Sequence, residues 1–200
     1  NLSERFGIDS ERFVFADNMP DFDGVRLKAT QPLDADLEKW LANVPSGQAF
    51  CCIGRLSPEK NHDLLLQAFA RLLEKHPEAK LVILGEGPLR AVLEAQIKFL
   101  KLDKSVLLPG VRSNPFPLLH RSDCFVLSSR HEGQPMVLLE AMVLEKPIIA
   151  TKIPGVKELL NSGYGQLIEL NTDAYSTALL EFVDNGCDLD KKINEKEYKL

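Results

Sequence analysis

Residues 49–75 read Ala49-Phe-Cys-Cys-Ile53-Gly-Arg55-Leu-Ser-Pro-Glu-Lys60-Asn-His-Asp63-Leu-Leu-Leu-Gln-Ala-Phe-Ala-Arg-Leu-Leu-Glu-Lys75. An unbroken apolar run, 49–53, passes through a polar, glycine-bearing loop into an amphipathic helical segment, 63–75. The alternation then repeats: runs at 80–84, 106–108, 124–127, 148–151 and 166–170 precede helical patterns at 89–100, 116–120, 136–144, 156–160 and 173–183. Strands without an exposed polar face, separated by helices, imply a mostly parallel sheet covered on both faces by right-handed crossovers. The expected fold is a doubly wound, Rossmann-like α/β domain over residues 49–185.

Outward from this core the pattern weakens. Residues 1–48 offer a strand candidate at 13–16, a turn-like stretch at 17–23 and a short helix at 36–41. They read as a lead-in inherited from a preceding acceptor-binding domain, since the chain starts at Asn1. Residues 186–200 form a charged segment with little apolar face. The chain has 200 residues, 44% hydrophobic and 26% charged, with a net charge of −5. No basic stripe accompanies that balance, so nucleic acid is not an expected partner. Four cysteines without a C-x-x-C pair encode neither a metal nor a redox framework. Apolar-run thiols and the lack of a membrane-length apolar stretch point to the cytoplasm.

Ligands of open α/β sheets bind beyond the carboxyl ends of the strands, so the loops there carry the functional reading. After the first run come Gly54, Arg55 and Lys60; the guanidinium can fork onto phosphate oxygens and the ammonium adds a point charge. A solvated cation pair is the ordinary alternative. The second run is followed by Gly85-Glu86-Gly87-Pro88, with Pro88 suited to a first helical position. The third leads to Pro109-Gly110-Val111, bare backbone suited to the edge of a base, and to Arg112-Ser-Asn114; a plain loop is the equal alternative. The fifth ends at Thr151, ahead of Pro154-Gly155.

The fourth run leads through Ser128, Ser129, Arg130 and His131 into Glu132-Gly133-Gln134-Pro135-Met136-Val137-Leu138-Leu139-Glu140. Two carboxylates bracket one helix start. With Pro135 at the first helical position, the amides of residues 136–138 are open to an anionic oxygen. Glu140 lies among Val137, Leu138, Leu139, Ala141 and Met142, so its carboxylate needs a partner. Because helical side chains lean toward the N-terminus, it reaches back toward whatever occupies the helix start. Two vicinal ribose hydroxyls would satisfy it; an internal salt bridge is the alternative. His62, His76, His120 and His131 lack a paired acid or nucleophile at a telling spacing and read as solvated or core histidines.

Taken together, Gly54-Arg55 with Lys60, Gly85-Glu86-Gly87-Pro88, and Ser128 through Met142 resemble the retaining glycosyltransferases of family 4. The resemblance covers residues 49–185 and implies the C-terminal, nucleotide-sugar-binding half of a GT-B enzyme. It implies Arg55, Lys60 and Glu132 as catalytic residues, the cations facing the donor diphosphate and Glu132 the donor sugar. Gly54, Glu86, Gly110, Val111, Gly133, Gln134, Met136, Val137, Leu138 and Glu140 would complete the donor site, with Glu140 on the ribose and the Gly110-Val111 backbone at the base.

The donor would be a nucleotide diphosphate sugar, UDP being the commonest base, and the acceptor a glycan or lipid-linked hydroxyl. No cofactor or metal is expected. By the resemblance, the full-length enzyme could associate peripherally with the inner membrane face, and this chain alone should bind donor with little turnover. Gln134 departs from the aromatic or aliphatic residue of the family pattern, which leaves the sugar unassigned and points weakly toward cell-surface polymer assembly.

Three rival readings accompany this one. A metal-dependent glycosyltransferase of the other fold would use an Asp-x-Asp motif, matched at Asp21/Asp23, Asp34/Asp36 and Asp188/Asp190. Three unrelated matches in an acidic chain argue for chance. A nucleotide-sugar epimerase of similar fold would present the same cations opposite a sugar. A non-catalytic module that binds nucleotide or a partner protein is the third, and the retained Arg55, Lys60, Glu132 and Glu140 argue against such decay.

Overall fold

The computed structural model describes residues 19–160 and 164–185. In chain order the elements are α1 (Phe22–Ala29), α2 (Ala35–Leu41), β1 (Ala49–Ile53), α3 (His62–Leu73), β2 (Lys80–Leu84), α4 (Arg90–Phe99), β3 (Val106–Gly110), α5 (Phe116–Arg121), β4 (Cys124–Leu127), α6 (Met136–Val143), β5 (Ile148–Thr151), α7 (Pro154–Leu160), β6 (Gln166–Ile168) and α8 (Thr172–Asn185). All six strands are parallel, in the order β3-β2-β1-β4-β5-β6. The winding direction reverses between β1 and β4, which creates the topological switch point of a doubly wound sheet.

The four central strands, β1, β2, β4 and β5, bury both faces, as their continuous apolar sequences require, whereas the edge strands β3 and β6 are partly exposed. Phe50 and Cys52 of β1 point into a layer formed with α3, α4 and α8, whereas Ala49 and Cys51 face a second layer formed with α2, α5, α6 and α7. Phe50 meets the rings of Phe69 and Phe182 edge-on, at 5.8 and 5.6 Å between centroids. This draws α8 back across the sheet onto α3. Tyr175 of α8 donates its buried hydroxyl to the Ile149 carbonyl at 3.1 Å, anchoring that return to β5. Cys51, Cys52 and Cys124 carry buried thiols, and burial pushes those of Cys51 and Cys52 up to about 12.

Several local expectations are corrected. Within the turn-like stretch 17–23, of which residues 19–23 are described, Asp21 caps α1 by accepting the Gly24 amide at 3.0 Å. Both leading helices pack on the domain, with Leu37 and Leu41 of α2 in its core. Pro135 is the N-cap rather than the first residue of α6, and α4 begins at Arg90, two residues beyond Pro88. β3 extends to Gly110, past the expected end at 108. The strand candidate at 13–16 and the tail 186–200 lie outside the described residues. No helix among the described residues is long and apolar enough to cross a membrane.

Candidate donor-binding site

The loops after β1 and β4 flank the switch point, and each is shaped by the other. Pro58–Lys60 forms a single 3-10 turn that ends at Asn61 in the left-handed region, φ 51°, a conformation asparagine tolerates better than most residues. Ser128 Oγ donates to the carbonyl of Lys60 at 2.9 Å and is also 3.1 Å from that of Asn61. The Arg130 amide donates to the Glu59 carbonyl at 2.7 Å, and its guanidinium to Asn61 Oδ1 at 2.9 Å. This lacing aims Lys60 across the cleft. Its ammonium meets Glu132 Oε1 at 2.6 Å, and Ser129 Oγ donates to the same oxygen at 2.6 Å.

The Lys60 and Glu132 side chains are only 19% and 9% exposed, so their pairing is shielded from water and either charge left alone would be costly. Arg55, in contrast, is exposed; its carbonyl accepts from the Ser57 amide at 2.9 Å, but its guanidinium makes no hydrogen bond or salt bridge among the described residues. Glu140, one turn into α6, is half-buried, and its carboxylate likewise has no partner among the described residues. Burial raises its pKa above the ordinary 4.5. The internal salt bridge that could have explained this glutamate is therefore absent from the described structure. At the helix start, the Leu138 amide closes onto the Pro135 carbonyl at 2.9 Å, leaving those of Met136 and Val137 without an acceptor among the described residues. Two amides, not three, are open.

Beside these groups the ends of β1, β2 and β3 are joined backbone to backbone. The Gly54 amide donates to the Leu84 carbonyl at 2.9 Å, and the Gly85 amide to that of Gly110 at 3.0 Å. Gly85, at φ +148°, has the Gly54 carbonyl oxygen 1.9 Å from where a Cβ would stand. These close approaches floor a groove of about 310 Å³ lined by Ile53, Arg55, Leu84, Glu86, Val111, Arg112 and Pro115, of a size suited to a nucleoside. Val111 is 67% exposed at its rim. Glu86 lines the groove with its carboxylate already forked by Arg90, at 2.8 and 2.5 Å, which holds its pKa below the usual range.

The structure thus brings Lys60 and Glu132 into contact and sets Gly54, Arg55, Glu86 and Val111 around one groove. Gly133 and Gln134 are exposed on the β4–α6 loop; Leu138 is buried. Sequence reading assigned no role to Asn61, Ser129 or Arg130. The contact between Asn61 and Arg130 spans loops 69 residues apart, whereas Ser129 meets Glu132 only three residues on, in a loop whose conformation no periodic pattern specifies. The Asp-x-Asp candidates have other work: Asp21 caps α1, and Arg112 pairs with Asp34 at 2.9 Å and Asp36 at 2.5 Å. Asp188/Asp190 lies outside the described residues. His62 is a core histidine whose ring nitrogens have no partner among the described residues, and burial, then Lys60, lowers its pKa to about 4.

Residues 38–200 match the family described as "Glycosyl transferases group 1". The chain is 34% identical over 184 residues to the UDP-Gal:alpha-D-GlcNAc-diphosphoundecaprenol alpha-1,3-galactosyltransferase of Escherichia coli, covering 90% of this chain and 44% of that protein. It is 33% identical over 175 residues to the N-acetylgalactosamine-N,N'-diacetylbacillosaminyl-diphospho-undecaprenol 4-alpha-N-acetylgalactosaminyltransferase of Campylobacter jejuni, covering 86% and 44%. Among solved structures, a variant of S. aureus TarM in complex with Fondaparinux, alpha-GlcNAc-glycerol and UDP aligns with a TM-score of 0.66 at 28% identity, over 72% of this chain and 31% of that one. The chain therefore spans less than half the length of these relatives.

Proposed function

The chain belongs to the glycosyl transferases group 1 family, and on that premise we propose that it is the donor-binding half of a retaining GT-B enzyme of family 4. The enzyme moves a sugar from a nucleotide diphosphate, UDP in this reading, to an acceptor hydroxyl in cell-surface glycan synthesis. The observation that supports the proposal is the shielded Lys60–Glu132 pair across the switch point, with Arg55 on the loop after β1 and, on the helix after β4, the half-buried Glu140, whose carboxylate has no partner among the described residues. Arg55 and Lys60 neutralise the diphosphate, whose negative charge grows as the glycosidic bond to it breaks. Glu132 accepts from hydroxyls of the sugar, Glu140 from the two ribose hydroxyls, and the backbone at Gly110 and Val111 meets the base.

The α-linkages named in both relatives support retention, and their undecaprenol-diphosphate acceptors support a lipid-linked acceptor at the inner membrane face. Acceptor selection, and any protein group that takes the acceptor proton, are assigned to the portion of such enzymes outside this chain. Calorimetric titration with UDP tests the cationic half of the site. Arg55→Ala and Lys60→Ala each lower the affinity about ten-fold, the worth of one lost charge-assisted contact. Unchanged affinity in both variants would sink the assignment.

A further inference from the structure

Glu132 has three side-chain torsions, and an ammonium is a point charge that fixes distance better than direction. Lys60 alone would therefore leave the carboxylate free to swivel. The directional constraint comes from Ser129, whose hydroxyl donates to Oε1 at 2.6 Å from a fully buried position. That position is itself fixed: the Ser129 carbonyl accepts the buried Thr151 hydroxyl at 2.5 Å, tying the loop after β4 to the end of β5. Lys60 and Ser129 converge on the same oxygen. Oε2 receives no hydrogen bond from the described residues.

We propose that Ser129 is a positioning residue for the donor sugar: together with Lys60 it holds Glu132 by Oε1, so that Oε2 is presented to a sugar hydroxyl. This rests on the donor-binding reading above. Ser129 touches neither the nucleotide nor the sugar, and its effect passes wholly through the orientation of Glu132. A purely structural Ser129, merely satisfying a buried hydroxyl, would disturb the loop and with it every ligand.

The test titrates this chain calorimetrically with UDP and with UDP-glucose, UDP-galactose, UDP-N-acetylglucosamine and UDP-N-acetylgalactosamine. With Ser129→Ala, the UDP affinity stays within about two-fold, while the best-bound UDP-sugar weakens about five- to ten-fold, the effect of one charge-assisted hydrogen bond. In the Glu132→Ala background the same substitution has no further effect on UDP-sugar affinity, because there is no carboxylate left to orient. Equal losses for UDP and UDP-sugar, additive losses in the double variant, or no loss at all would each overturn the role of Ser129. Should Ser129→Ala fail to fold, Ser129→Cys replaces it, a similar-sized side chain with a weak donor, and the same outcomes decide. An unsubstituted chain that binds neither UDP nor any UDP-sugar would overturn the donor-binding reading itself, a result separate from a bound donor that ignores Ser129.

Discussion

At the residue scale, Glu140 is where stability and function pull apart. Its surroundings in the sequence are so apolar that a carboxylate there called for an outside partner, and in the fold none of the described residues supplies one. Because burial raises its pKa above the unfolded value, the folded state holds its proton more tightly. The stability linked to that proton is fully present below the unfolded pKa and is lost as pH rises through the folded one. Glu140→Gln should accordingly raise the thermal unfolding midpoint at pH 7, with the gain fading near pH 4, while weakening UDP-sugar binding about ten-fold. A midpoint lowered at pH 7 would mean the carboxylate has a stabilising partner after all. The Lys60–Glu132 contact could not be read from sequence in the same way, since the two residues lie 72 positions apart and neither run carries a local sign of the other.

At the element scale, the central strands were legible because burial on both faces writes an unbroken apolar run, and the helices between them because each buries one face. Helix α1 was not. Its segment buries only Val25 and Ala29 and carries Gly24 within the first turn, so packing against α5 and α6, rather than its own periodicity, decides its structure. Asp21 at the N-cap and Asp23 in the first turn were the available start signals. The loops at the cleft depend on contacts no local pattern encodes. A Cβ on Gly155 would stand 2.2 Å from the Gly133 carbonyl oxygen and 2.7 Å from that of Glu132, whereas one on Gly133 meets nothing within 4 Å. Gly155→Ala should therefore cost about 1–3 kcal/mol and weaken donor binding together, as overpacking moves the Glu132 loop. Gly133→Ala should change stability by less than about 0.5 kcal/mol. Urea unfolding of the two variants checks the contrast, and equal losses would contradict the packing described at α7.

At the scale of the whole molecule, the doubly wound sheet explains why residues from three separate loops form one site. The chain winds outward from β1 through β2 to β3, then returns to β4 and winds the other way, so the loops after β1 and β4 part around a single crevice. Cations come from one side of it, carboxylates and a helix start from the other, and the glycine floor under β1, β2 and β3 leaves the nucleoside groove alongside. In the proposed donor-binding role, this arrangement grips an anionic ligand bearing hydroxyl-rich groups at both ends. The most direct measurement is calorimetric titration of this chain, unsubstituted and as Glu140→Ala, against a panel of UDP-, GDP- and ADP-sugars. Saturable one-to-one binding of a UDP-sugar is expected, weakened about ten-fold or more by the substitution. Binding of no nucleotide sugar, or an affinity that Glu140→Ala leaves unchanged, would contradict it.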